Sequence, residues 1–578
     1  MLRLTWVKGS FEHLPLYEKW NSFSRIKVAG DPDKPVKPVG WGLSSAYPSD
    51  RTIRRLYLDI DANASTYLTA FNGNLSELEH MKYEVTNLVH YLRHDAKVLV
   101  VGTGGGKDIL SALAFGQKSV LGVEINKDII DAVNHRFGDF TGHLDKNPKI
   151  TLVNDEARSY IARLNDKFDI LQVSLIDTWA ATAAGAFVLT ENSLYTVEAW
   201  KNLLDHLNPN GILTFSRWSD EMYRITSLAT VSLTQLGIKN PRNHIIIVWH
   251  RNRLETEYAP PGIGTMLLSK EPFSNKDLDT VEDISRKMQF DIVLSPRFSL
   301  NPAFATLASG KDIDTFIAKF PVNISAPTDN SPFFFHMLRF KDLFNPNLWK
   351  QQNINLKAVF VLGVLLFTVT CLTFLCIIVP LILTTNRGTL RGALPLFMFF
   401  AAIGFGFMLV EISQMQRLNI FLGHPTYGLS VVLFALLLSS GLGSYLTRKI
   451  GNPGSSGSAN LLLFLLCTLF LFGIITPYAI TSFQSSTTMI RIFIATGILS
   501  PIGLFMGMAF PLGMKMASTR STSLTPWLWG INGATSVCAS VLAVAIALNS
   551  GISASFWSGF LCYFVSLIAF VFASQKRK

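Results

Sequence analysis

From Ala358 to Lys578 the sequence holds one acidic residue, Glu411, within long apolar runs broken only by short polar loops. Candidate spans run from Ala358 to Leu383, Ala393 to Val410, Gly428 to Leu446, Asn460 to Ile480, Ile490 to Met514, Trp527 to Leu548 and Phe556 to Phe572. In lipid each backbone polar group needs a partner inside its own segment, so stretches of this length must be helices. Residues 346–578 therefore read as an all-α polytopic membrane domain of about seven spans. The residues before it are mixed and normally charged, and require a soluble fold of their own.

The net charge of +11 does not mark a nucleic-acid surface, because Lys and Arg are spread along the chain and gather mainly in loops beside the spans. Arg387, Arg391, Arg448, Lys449, Lys515, Arg520 and the tail Lys576–Lys578 all follow odd-numbered spans, which would place those loops in the cytoplasm and the soluble part outside. The basic run Arg339, Lys341, Lys350 and Lys357 argues the opposite. Met1 to Ile26 lacks the apolar run of a cleavable signal. All five cysteines fall in predicted spans, so neither a disulfide nor a cysteine metal site is expected in the soluble part.

The soluble part is most informative at Val98 to Ile125, VLVVGTGGGKDILSALAFGQKSVLGVEI. A short valine-rich run predicts a strand buried on both faces. Gly102, Gly104, Gly105 and Gly106 then form a turn, and Ile109, Leu110, Leu113 and Ala114 recur at helical spacing before a second strand closed by Glu124. Such a βαβ unit offers a bare backbone and unpaired helix N–H groups to a ligand. Glu124 lies where the acid of a dinucleotide-type fold accepts ribose hydroxyls, so the expected ligand carries a ribose. A tight structural turn in another α/β protein remains the alternative.

Further strands are expected at Lys149 to Asn154, Phe168 to Ser174 and Gly211 to Ser216, with a late hairpin from His244 to His250 and Gly264 to Ser269. Residues 1–75, with strand-like patches at Ser24 to Val28 and Arg55 to Ile60, form a small N-terminal β segment, and 76–345 a Rossmann-like α/β domain. Ligands bind at the carboxyl ends of such strands, so Gly104, Glu124, Asp155 and Asp177 should ring one crevice.

The order GTGGGKD, VEI, NDEA and a carboxylate after the fourth strand resembles class I S-adenosylmethionine-dependent transferases. YEKWNSFSRI and LYLDIDANASTY are similar to the spermidine synthase group among them. SLIDTWAATAAGAFVLTENSLYTVEAW, TDNSPFFFHML, FMLVEISQMQRLNIFLGHPTYGLSVVLF and WLWGINGATSV extend the resemblance, over nearly the whole chain, to bacterial membrane-fused spermidine-synthase-like proteins. Members commonly carry further spans ahead of the soluble domain, so a short form or truncated gene model is expected here.

The resemblance implies S-adenosylmethionine or its decarboxylated form as cofactor, held by Gly102, Gly104 and Gly106, with Glu124 on the ribose and Asp155 and Glu156 toward the adenine. Asp177 would orient or deprotonate the acceptor, with Glu84, Glu191 and Tyr195 on the acceptor side. It also implies a bacterial inner membrane with the soluble domain in the cytoplasm, where sulfonium nucleosides are made; one apolar segment would then be re-entrant or miscounted. A homo-oligomer is compatible with it.

The family's diamine pocket is depleted. Its paired aspartate after the fourth strand falls on Val173 or Ser174, its glycine-loop aspartate on Gly105, and its His-Glu on Tyr83 and Glu84. The resemblance thus implies transfer of an aminopropyl or methyl group to an unidentified acceptor, a polyamine, another amine or an acceptor delivered by the membrane. Asp108 reads equally as a helix anchor or a ligand, Glu191 and Tyr195 equally as site or packing residues, and the scattered histidines are assigned to neither metal nor catalysis.

In the membrane part, Glu411 closes the second expected span, with Gln414 one turn later and Arg417 beyond. This polar site reads as a substrate path or as an interfacial carboxylate paired with Arg417. Gly503 and Gly507 suit close helix packing, Gly530, Asn532 and Gly533 are expected to interrupt the sixth span, and TDNSPFFFHMLRF is expected to dock at the bilayer surface. The alternative function is a transporter or exporter with a regulatory nucleoside-binding domain.

Overall fold

The computed structural model describes residues 4–7, 10–22, 24–40, 42–48, 50–62, 64–176, 189–251, 262–339, 342, 354–385, 392–449, 456–519 and 522–575. Two compact units are present: Met1–Phe187 with Asn192–Thr328, and Val188–Glu191 with Asp329–Lys578.

After a two-stranded ribbon of Trp6–Val7 and Ser10–Phe11, the first unit has a five-stranded antiparallel sheet: β1 (Tyr17–Trp20), β2 (Arg25–Ala29), β3 (Pro35–Val36), β4 (Ile53–Ile60) and β5 (Ala64–Thr69). Two of these strands cover the patches expected from sequence. Alternation explains β4, whose Leu56 and Leu58 are buried while Tyr57 between them is exposed.

The larger sheet has eight strands: β6 (Lys97–Val101), β7 (Ser119–Glu124), β8 (Ile150–Asn154), β9 (Phe168–Ser174), β10 (Leu207–Trp218), β11 (Ile245–His250), β12 (Ile263–Ser269) and β13 (Asp291–Leu294). Their spatial order is β8-β7-β6-β9-β10-β12-β11-β13. The first five run parallel and the last three antiparallel. Val98 to Val101 are buried on both faces, as their composition requires. Strand order reverses at β6, between β7 and β9, so the crevice opens at their carboxyl ends. Helix α1 (Lys107–Ala114) follows the glycine turn, α2 (Ala157–Ile161) follows β8, and α3 (Val197–Asp205) precedes β10.

Among the described residues, the second unit contains seven helices long and apolar enough to cross a membrane. They are α4 (Ala358–Thr384), α5 (Leu394–Leu422), α6 (Pro425–Leu446), α7 (Ser456–Phe483), α8 (Thr488–Ser518), α9 (Thr525–Ser550) and α10 (Ile552–Gln575). A core of Phe399, Phe400, Leu512, Phe556 and Phe570 joins α5, α8 and α10.

Two expectations are corrected in this unit. Helix α5 continues to Leu422, so Glu411, Gln414 and Arg417 lie within it rather than at its end. Helix α9 runs unbroken through Gly530, Asn532 and Gly533, because the Asn532 amide is used between helices, donating to the Phe400 carbonyl at 3.1 Å. Phe333, Phe334 and Phe335 are buried. Phe333 packs on Ala547 and Ile552, and the Asn330 carbonyl accepts the Ile552 N–H at 2.7 Å. Gly503 and Gly507 do serve close packing: a Cβ at either would strike Ser439 or Ser440 of α6.

Candidate active site

The glycine turn is shaped by both its conformation and its neighbours. Gly102, Gly104 and Gly106 have φ of +74°, +48° and +87°, a region that side chains other than glycine occupy at a cost. Gly105 is fixed for another reason, since a Cβ there would collide with the Tyr67 carbonyl of β5. The N-terminal sheet thus closes over the turn. Glu124, at the end of β7, accepts the Gly104 N–H at 3.1 Å and the Asn126 N–H at 3.0 Å. Burial pushes its carboxyl up while these backbone bonds oppose the shift.

Asp155 follows β8, and its N–H donates to the Glu124 carbonyl at 3.2 Å. Its carboxylate accepts the Glu156 N–H at 2.8 Å and is paired with Arg163. The Glu156 carboxylate is committed to α2, accepting the N–H groups of Arg158 and Ser159 at 3.0 and 2.8 Å as an N-cap.

Asp177 lies outside the described residues, but the chain leading to it is firmly held. Leu175 has φ +49°, a strained setting for a branched side chain at the carboxyl end of β9. The Ile176 carbonyl accepts the Tyr195 hydroxyl at 2.6 Å and Arg217 Nη1 at 3.1 Å. Arg217 also donates to the Tyr195 oxygen at 3.2 Å and, through Nε, to Glu221 at 2.7 Å. Tyr195 is therefore built into this edge. Arg217 escaped the sequence reading because an arginine near a strand end ordinarily reaches water. Glu191 groups with the second unit, where it hydrogen-bonds Gln416 and Asn419.

Two further carboxylates stand near the amino end of α1. Glu84 is buried and paired with Lys107. Asp108 is buried against Ser174 at the end of β9, and burial raises its carboxyl to about 6. A chain of amides supports this corner: Gln172 Nε2 donates to Ser174 Oγ at 3.3 Å, while Gln172 Oε1 and Gln117 Nε2 contact the two nitrogens of His90 at 3.0 and 3.1 Å. Burial lowers His90 to about 4, so it is neutral near pH 7 and structural. Among the described residues no group of His, Cys, Asp and Glu is arranged to hold a metal ion.

The site is thus a mixed sheet whose strand order reverses at β6, with a glycine turn bonded to the acid that ends the next strand. Residues 79–229 match the model of the spermine/spermidine synthase domain. A polyamine aminopropyltransferase of Korarchaeum cryptofilum (strain OPF8) is 22% identical over 135 residues, 23% of this chain. The match spans 39% of that relative's length. Spermidine synthase from Thermotoga maritima aligns over 51% of this chain and 83% of its own, with 17% identity and a TM-score of 0.31. A probable spermidine synthase from Corynebacterium glutamicum ATCC 13032 aligns over 51% and 94%, with 14% identity and a TM-score of 0.34.

Proposed function

We propose that the first unit is a spermidine-synthase-like transferase, moving an aminopropyl group from decarboxylated S-adenosylmethionine, or a methyl group from S-adenosylmethionine, to an acceptor amine. The observation that carries this reading is the bond from the Gly104 N–H to the Glu124 carboxylate, inside the segment that matches the synthase domain. The residues fit such a cofactor: the turn is bare of side chains and its neighbouring acid is fixed by backbone donors. When bound, the sulfonium makes the adjacent carbon electrophilic, so that C–N bond formation breaks the C–S bond.

In this reading Gly102, Gly104 and Gly106 admit the cofactor, Glu124 takes the ribose hydroxyls and Asp155 the adenine end, with Glu156 holding α2 in place. Asp177 orients the acceptor and receives its proton, and Tyr195 with Arg217 fixes the peptide just before it. Glu84 and Asp108 offset the carboxylates that the family pattern lacks at Gly105 and Ser174. The helices of the second unit anchor the transferase in a bacterial inner membrane with the first unit on the cytoplasmic side.

The second reading, a transporter with a regulatory nucleoside-binding domain, is favoured by the buried polar groups Glu411 and Gln414. One experiment separates the two. The full chain in lipid nanodiscs is expected to melt at higher temperature with decarboxylated S-adenosylmethionine or S-adenosylmethionine, and to release methylthioadenosine or S-adenosylhomocysteine when amines are supplied. Stabilisation without product across a panel of amines would overturn the transferase in favour of the second reading.

A further inference from the structure

Between α5 and α10 lies a set of buried polar side chains that the transferase reading does not use. Small residues bring these helices together: a Cβ on Gly406 would meet Tyr563 at 2.9 Å, and one on Gly559 would meet Val410 at 2.8 Å. Phe399 meets Phe570 with ring centres 5.5 Å apart. These pairs run antiparallel, and the same register sets Gln414 opposite Ser555. Arg417 confirms it at the next turn, donating to Ser553 Oγ at 3.0 Å and lying over the Phe556 ring.

Gln414 and Ser555 are both 0% exposed, and among the described residues neither the Gln414 amide nitrogen and oxygen nor the Ser555 hydroxyl has a hydrogen-bond partner. Glu411 is 8% exposed and stands one turn before Gln414, a spacing that makes the two side chains neighbours. The expected pairing of Glu411 with Arg417 is not formed, because the guanidinium is drawn to Ser553 and Phe556. Among the described residues no hydrogen bond or ion pair engages the Glu411 carboxylate. Buried polar groups normally find partners, and a carboxylate at membrane depth needs one most.

We infer that these groups form a binding site for an organic amine in its ammonium form. An R–NH3+ head has three N–H donors and no acceptor. The Glu411 carboxylate, Gln414 Oε1 and Ser555 Oγ supply three acceptors, one of them with the compensating charge. Calcium and magnesium ions ask for about six or more oxygen ligands, beyond this set. Arg417 flanks the site and repels a second positive charge there, so the head bound carries one ammonium. This inference does not depend on the transferase reading.

The test uses the full chain in nanodiscs and radiolabelled n-butylamine as probe. Saturable binding of one amine per chain is expected to persist in Asp108→Asn, in which the crevice of the other unit has lost a carboxylate. Glu411→Gln should weaken it at least tenfold. Gln414→Leu, which removes an unpartnered amide from an apolar setting and so should fold, is expected to weaken it several-fold. No saturable binding by the wild type, or wild-type affinity in both variants, overturns the site. Binding lost in Asp108→Asn but kept in Glu411→Gln also overturns it, by moving the amine to the crevice, and leaves the transferase reading standing.

Discussion

Glu124 and Glu411 are both buried carboxylates, but the two units treat them differently. Glu124 accepts backbone N–H groups from Gly104 and Asn126, so the fold itself offsets the cost of burying it and fixes its position before any ligand arrives. Glu411 sits among apolar helices without such donors, and a neighbouring amide and hydroxyl are equally unpartnered. The contrast teaches that the first unit is preorganised by its own backbone, whereas the second leaves part of its hydrogen bonding for something outside the protein to complete.

The largest expected effect lies in the first unit's chemistry. Asp177→Asn should lower turnover by roughly 10²–10⁴-fold, the usual contribution of a general base. Cofactor affinity, read by calorimetry, should change less than twofold. Equal losses in both would make Asp177 part of the cofactor site and extend the preorganised region beyond Glu124.

Acidity probes the same unit at Asp108 and His90. Asp108 is raised to about 6 from an ordinary 3.8, so the folded state binds a proton that the unfolded state releases between these values. Its contribution to stability therefore rises as pH falls through that window, recovering about 3 kcal/mol. His90 is lowered to about 4 from 6.5, so its contribution is complete above 6.5 and is lost as pH falls to about 4. The two oppose each other. Asp108→Asn should thus steepen the acid loss of stability by about 3 kcal/mol in denaturant titrations at pH 7 and 4. An unchanged slope would show that Asp108 is not held as described.

The carboxylates themselves give the direct comparison. Glu124→Gln weakens charge-assisted bonds worth about 1.5–3 kcal/mol. It should lower both cofactor affinity and the melting temperature of the first unit. Glu411→Leu removes a carboxylate that has no partner, so the helical transition in nanodiscs should stay level or rise. A fall of the same size in both variants would erase the distinction between the units.

Much of this was legible in the sequence where a residue's role is local. The valine-rich strand, the glycine turn and the helix after it announce themselves by spacing, and seven apolar runs become seven helices. Roles set by distant neighbours were not legible. Gly105 is required by a carbonyl in β5, Arg217 is buried by its bonds to Ile176 and Glu221, and Glu191 belongs to the unit that its flanking sequence does not suggest. Strand β13 has only four residues, too few for its alternation to stand out. Helix α5 outran its expected end because hydropathy drops at Glu411, although helix packing continues through Arg417 to Ser553.

The smallest effect sharpens the picture at the acceptor edge. The Tyr195 hydroxyl donates to the Ile176 carbonyl at 2.6 Å, but Arg217 reaches that same carbonyl at 3.1 Å, so the peptide before Asp177 has two donors. Tyr195→Phe keeps the ring edge-on to Phe215 and removes only one of them. A net loss of about 1 kcal/mol is expected. It should raise the acceptor KM several-fold while cofactor affinity stays constant, because the glycine turn and Glu124 do not touch this bond. If cofactor affinity falls in step, the two sides of the crevice are not held independently, and the fixed scaffold in the first unit is one coupled network.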